Sequence, residues 1–140
     1  MRWADSYVGL PFAAQGRTRA GLDCWGLVRL VMAERGDLAL PAFDTIGSMD
    51  GAAVRDAIGR EETSWLDVDP RDLQAFDVAV MRAHYQLGGA WRGTDMHLGI
   101  MVSPTQLLHI EPETGSVCVP ISHPSVSERI RRFKRHPFFA

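Results

Sequence analysis

"RAGLDCWGLVRLVMAERG", residues 19–36, joins a glycine-broken loop to an apolar-periodic segment and sets a cysteine between an aspartate and a tryptophan at the joint. From Cys24 onward Leu27, Val28, Leu30, Val31 and Met32 recur with helical spacing, and Gly36 follows as a C-cap residue, so the pattern predicts a buried helix over residues 24–35. Asp23 is of the residue type that caps a helix start. Cys24 then falls in the first turn, where unsatisfied N–H groups and the helix dipole favour negative charge, and this position alone predicts a lowered thiol pKa.

Working outward, residues 2–8 read as a short opening helix, and "GLPFAAQGRTRAG", residues 9–21, as an irregular loop punctuated by Gly9, Pro11, Gly16 and Gly21. Residues 37–50 are loop-like and residues 52–60 suggest a second short helix. "RDLQAFDVAVMR", residues 71–82, ends in strand-like alternation. Beyond it, residues 96–103, 106–112, 116–121 and 128–136 are short, alternating and β-rich, with turn residues between them. Helices first and an antiparallel sheet second is an α+β order, and residues 1–140 carry no repeat or linker that would divide them, so one domain is expected.

With 46% hydrophobic and 23% charged residues among 140, the chain has a globular balance, and a net charge of −2 provides no overall basic field to draw it to nucleic acid. The six basic residues of "RIRRFKRH", residues 129–136, alternate with Ile130 and Phe133 as a half-buried strand would, without stacking aromatics for a nucleic-acid face. No run approaches the ~18 apolar residues of a membrane span, and the N-terminus lacks the apolar core of a secretory signal. The expectation is a protein made in the cytoplasm, without membrane insertion. Cys24 and Cys118 are read as free thiols, Cys118 as a packed strand residue.

A thiol nucleophile needs an imidazole to take its proton and later protonate the leaving amine, and a third polar group to hold the imidazole's tautomer. His97 and His109 lie on strand segments joined by one turn, so a hairpin brings them close. A cysteine on an apolar helix is commonly a small hydrophobe and a histidine in a strand a satisfied core residue. Their joint order, with Cys at a helix start and His on two later strands, favours a thiol enzyme. Such a mechanism requires no cofactor. Cys24, His97 and His109 could ligate zinc in principle, but no C-x-x-C or H-E-x-x-H spacing accompanies them and no metal is expected.

The stretch "YVGLPFAAQGRTRAGLDCWGLVRL", residues 7–30, with "LQAFDVAVM" at 73–81, "MHLGIMV" at 96–102 and "LLHIEP" at 107–112, resembles the NlpC-type cysteine peptidases that cut bacterial cell-wall peptides. The resemblance covers most of the chain in the right order. It implies a papain-like α+β fold, with Cys24 as nucleophile and its backbone N–H in the oxyanion site, His97 as general base and acid, and His109 orienting His97. It also implies hydrolysis of amide bonds in peptidoglycan stem peptides, from γ-D-glutamyl to diaminopimelate.

Two positions depart from the family pattern: Phe12 stands where a tyrosine hydroxyl commonly helps the oxyanion site, and Trp25 follows the cysteine in place of the usual serine. The Asp-Cys-Trp-Gly-Leu-Val form is similar to the branch found in bacteriophage tails and gene transfer agents. That branch implies tail-tip or hub proteins as partners and carriage on a phage-like particle to the recipient cell wall. Docking is expected through the basic terminal strand and the "HPFFA" tail, where Phe138 and Phe139 have little chain to bury them.

Asp23, Trp25 and His84 are further candidates to line the substrate cleft. Asp23 is also a cap candidate, Trp25 a core anchor, and His84 a solvated residue of a Gly-rich loop. Two rival readings remain open: a structural tail-tip module of the same fold with little or no activity, and a papain-like amidase or acyltransferase on another substrate.

Overall fold

The structure, a computed structural model, describes residues 2–42, 59–83 and 95–140; of Asp95 and Met96 it describes the backbone. Strands β1 (Arg17–Thr18) and β2 (Gly21–Leu22) form a small antiparallel hairpin that leads into helix α1 (Cys24–Arg35). Six further strands follow: β3 (Leu66–Val68), β4 (Val78–Arg82), β5 (Asp95–Met101), β6 (Gln106–Glu111), β7 (Gly115–Pro120) and β8 (Ile130–Arg135). They make one antiparallel sheet in the order β3-β8-β4-β5-β6-β7. Helices packed on a mainly antiparallel sheet give the α+β fold the sequence predicts.

Helix α1 matches its expected bounds, and its ends show why. The Asp23 carboxylate accepts the Gly26 N–H at 2.7 Å, closing the first turn, and the Gly36 N–H donates to Met32 O at 3.0 Å at the other end. Seven of its residues are buried, among them Leu27, Val28, Val31 and Met32. They pack on one face of the sheet, with Val78, Val80, Leu98, Ile100, Leu108 and Ile110. Strand alternation sends Ala79, Met81, Met101, Leu107 and Phe133 to a second apolar cluster closed by Leu73 and Val126.

The residue 2–8 helix is a 3-10 helix, Trp3–Tyr7, and the 128–136 strand is Ile130–Arg135. That last strand is half-buried, as expected, and lies inside the sheet between β3 and β4. Its cations are neutralised locally, by ion pairs from Arg132 to Glu62, Lys134 to Asp67 and Arg135 to the fully buried Asp77. The expected exposure of both C-terminal phenylalanines holds for Phe138 alone. Phe139 stacks on Phe76 at 5.1 Å and joins the α1-side core. Of the segment expected as a second helix, residues 52–58 lie outside the described residues, and residues 59–62 are helical.

Among the described residues, no helix is long and apolar enough to cross a membrane.

Candidate active site

Asp23 organises the approach to Cys24. One carboxylate oxygen takes the Gly26 N–H and the Arg17 guanidinium, both at 2.7 Å, and the other takes the Gln15 N–H at 3.1 Å. Arg17, on β1, also holds Gly16 O and Ala42 O. The loop before the helix is therefore tied to the cap residue through Gln15 and Arg17, and Cys24 is presented at a fixed place. Gly26 is required there by space: a Cβ on it would lie 2.1 Å from Gly16 O. Asp23 thus acts as cap and ion-pair partner.

Trp25 turns inward. Its ring is 2% exposed, packs in the α1-side core, and donates from Nε1 to Pro41 O at 2.8 Å. The ring anchors the helix. Phe12 bridges to Leu22 and packs, partly buried, against the same core. His84 lies outside the described residues.

On the sheet, Gly99 is opposite His109 and Met81 opposite His97. His97 and His109 therefore belong to the same alternating set of positions, diagonal to each other across β5 and β6. Their rings meet edge-to-face, with His97 Nε2 2.8 Å from His109 Nδ1. Both rings are buried, at 0% and 2% exposure. A hydrogen bond between two imidazoles requires one nitrogen to donate and the other to accept, so the pair shares a linked protonation state.

The sulfur meets β5 at its backbone. Met101 N donates towards β4, to Asp77 O, and Val102 N towards β6, to Gln106 O, so by alternation the Leu98 N–H is directed to the β6 side. The paired register of β5 with β6 runs from Met101↔Leu107 to Gly99↔His109. Just past that point the Leu98 N–H donates to the Cys24 sulfur, as does the Trp25 N–H. Cys24 thus sits where β5 and β6 part, against the residue that follows His97.

The lowered thiol pKa expected from helix position is corrected. Burial pushes the Cys24 thiol up to about 12, helped by the negative charge of Asp23, while the Leu98 and Trp25 N–H groups and the Arg17 cation pull against it. A helix N-terminus lowers a thiol pKa only where the thiolate keeps enough solvation, and this sulfur is withdrawn from water. The resting group is the thiol, so its activation requires a nearby base.

Behind the histidines lies a charged pair that the sequence did not single out. Glu111 Oε1 is 3.6 Å from His109 Nδ1. Arg129 grips the same carboxylate with two bonds, at 3.1 and 3.0 Å. Its guanidinium also donates to Arg82 O and Ser125 O, and both side chains are buried. The period-2 spacing of His109 and Glu111 in "HIE" was the available signal for the carboxylate; nothing local marked Arg129. His97, His109 and Glu111 offer metal-ligating atoms within 4.8 Å of one another. The His97–His109 bond and the two-pronged Arg129 clamp engage these groups with protein partners, in keeping with an internal relay.

The NlpC/P60 family matches residues 9–135, and the chain belongs to that family. Among solved structures it is similar to an NlpC/P60 family protein from Bacillus cereus ATCC 10987, at 19% identity and a TM-score of 0.64, covering 95% of this chain and 37% of that one. It is similarly related to a lipoprotein-like NLP/P60 protein from Staphylococcus aureus subsp. aureus Mu50, at 19% identity and a TM-score of 0.63, covering 94% and 38%. The chain thus spans little more than a third of the length of either. The NlpC/p60 domain of the peptidoglycan hydrolase SagA is matched over 94% of this chain and 91% of that one, at 15% identity and a TM-score of 0.57. No curated protein matches the chain.

Proposed function

We propose that this NlpC/P60 domain is a cysteine peptidase that hydrolyses amide bonds of peptidoglycan stem peptides through an acyl-enzyme on Cys24. The observation that carries the reading is the bonded His97–His109 pair on β5 and β6, with Cys24 opening α1 against the backbone N–H of Leu98, the residue after His97. In this reading His97 Nε2 donates to His109 Nδ1, and His97 Nδ1 receives the thiol proton.

In the proposed reaction the sulfur attacks the carbonyl carbon as its proton passes to His97. The oxyanion is held by the Cys24 backbone N–H, one of the N–H groups at a helix start that lack an intrahelical acceptor. His97 returns the proton to the leaving amine as the C–N bond breaks. Water, deprotonated by His97, then cleaves the thioester and restores the thiol. His109 holds the His97 ring in place. With Phe12 supplying no hydroxyl, oxyanion stabilisation rests on main-chain donors.

The finer reading names the bond from γ-D-glutamyl to diaminopimelate as the one cut. It also makes the domain a component of a phage-like tail tip, assembled in the producing cell with hub proteins and acting at the recipient wall. Both rest on the Asp-Cys-Trp-Gly-Leu-Val form and on membership of a family whose relatives include a peptidoglycan hydrolase. Mass spectrometry of purified peptidoglycan digested by wild type and by Cys24→Ala tests activity, residue and bond together. New amino termini at diaminopimelate with wild type alone support the reading. A product pattern identical in the two, or no cleavage, refutes it. Proteomics of purified particles tests delivery, and particles that never contain this chain refute it.

A further inference from the structure

We propose that Glu111 is a positioning residue for this site: clamped by Arg129, its carboxylate favours positive charge on the His97–His109 pair. The inference rests on the catalytic reading of that pair, and deepens it.

Three observations carry it. Glu111 is two residues beyond His109 on β6, so it shares the face of both histidines, and its Oε1 is 3.6 Å from the nitrogen that His97 touches. The carboxylate is buried and cannot swing away, because Arg129 holds both oxygens and is itself fixed by Arg82 O and Ser125 O. A buried Glu–Arg pair is a poor way to gain stability, since its desolvation cost can exceed its attraction, and its occurrence directly behind an imidazole relay calls for another use.

The physics follows from the charge each step creates. When His97 accepts the Cys24 proton it becomes an imidazolium, and both its ring nitrogens must donate. Nε2 then needs an acceptor, which is His109 Nδ1. A neutral His109 accepts there only as the Nε2–H tautomer. As positive charge develops on His97, the Glu111 anion beyond His109 stabilises it across two rings, as a carboxylate behind a catalytic imidazole does. Arg129 tempers that charge and fixes its direction. Among the described residues, Glu111 and Arg129 face the pair from the sheet side, and Cys24, with Asp23 and Arg17 acting on it, lies against Leu98, next to His97 in the chain. Removing the Glu111 charge should lower the pKa of the imidazole pair. A base that must be neutral then stays neutral to lower pH, so the acidic limb of the rate profile moves down while the rate falls.

The test is Glu111→Gln in the full chain, with two readouts. One is the 15N signals of the His97 and His109 rings across a pH series, which report tautomer and titration whether or not the protein turns over. The other is the pH profile of peptidoglycan hydrolysis. The expected result is a downward shift of the ring titrations by about one unit or more, a matching shift of the acidic limb, and at least a tenfold fall in kcat, about the scale of losing an orienting charge. Glu111→Asp should restore part of both. If Glu111→Gln does not fold, Glu111→Gln combined with Arg129→Met removes both charges and is expected to show a smaller ring shift in the same direction, because Glu111 is the nearer charge. A folded variant with unchanged ring signals and unchanged profile overturns the proposal and leaves Glu111–Arg129 an internal strut. Ring shifts in a protein whose wild type cleaves no peptidoglycan would uphold the positioning and overturn the assigned substrate instead.

Discussion

At the residue scale the thiol and its base must be considered as one unit. A buried Cys24 with its pKa pushed up to about 12 does not supply thiolate by itself at neutral pH, so alkylation there depends on proton transfer to His97. His97→Ala should therefore slow carbamidomethylation of Cys24 at pH 7 by about 100-fold, within the range for loss of a general base, and leave Cys118 unchanged. Equal labelling of Cys24 in the two proteins, measured by peptide mapping, would separate the pair. The raised pKa also has a consequence for stability. An unfolded thiol ionises near ~8.5, so between that value and about 12 the unfolded chain loses its proton first and the folded state binds more protons. The contribution of Cys24 to stability is therefore complete below that window and falls as pH rises through it, by about 1.4 kcal/mol per pH unit. Cys24→Ala should show a correspondingly shallower alkaline decline in urea unfolding, and a parallel decline would contradict the burial.

At the element scale, α1 depends on a close approach that admits no side chain. Gly26→Ala sets a methyl 2.1 Å from the Gly16 carbonyl, so the first turn and the β1–β2 hairpin must separate. A loss of about 1–3 kcal/mol is expected from such overpacking, with a larger fall in activity than in stability because Cys24 is displaced. Denaturant unfolding and peptidoglycan turnover on the same protein check both. This helix and most of the sheet were legible in the sequence, because period-3.6 and period-2 apolar patterns and the Asp23 cap act within a few residues. Leu66–Val68 was not, since a three-residue strand with largely exposed side chains has no periodic signature and exists through its pairing with β8. His123 and His136, each ahead of a proline, cap short helical turns through ring nitrogens that accept from Ser125 N and Phe138 N. The diagonal meeting of His97 and His109 followed from hairpin logic. Glu111 and Arg129 required knowledge of which chain segment closes behind β6, and a separation of 18 residues leaves no local trace of that.

At the scale of the whole molecule, the C-terminus closes the back of the fold. Phe139 stacks on Phe76, which stacks on Trp3 at 5.7 Å, and it lies so near α1 that a Cβ on Gly36 would be 2.9 Å from its ring. Removal of residues 137–140 should therefore cost about 1–2 kcal/mol in urea unfolding, the burial of part of an aromatic ring. An unchanged midpoint would show that the tail is free to serve a partner alone. The central claim, that the Cys24 sulfur performs the chemistry, is tested most directly by stoichiometric alkylation. Iodoacetamide is added in steps, label at Cys24 and Cys118 is quantified by mass spectrometry, and peptidoglycan turnover is measured on each sample. The account predicts that activity falls in proportion to label on Cys24, reaches zero at one label there, and is indifferent to label on Cys118; turnover retained by protein fully labelled at Cys24 would contradict it.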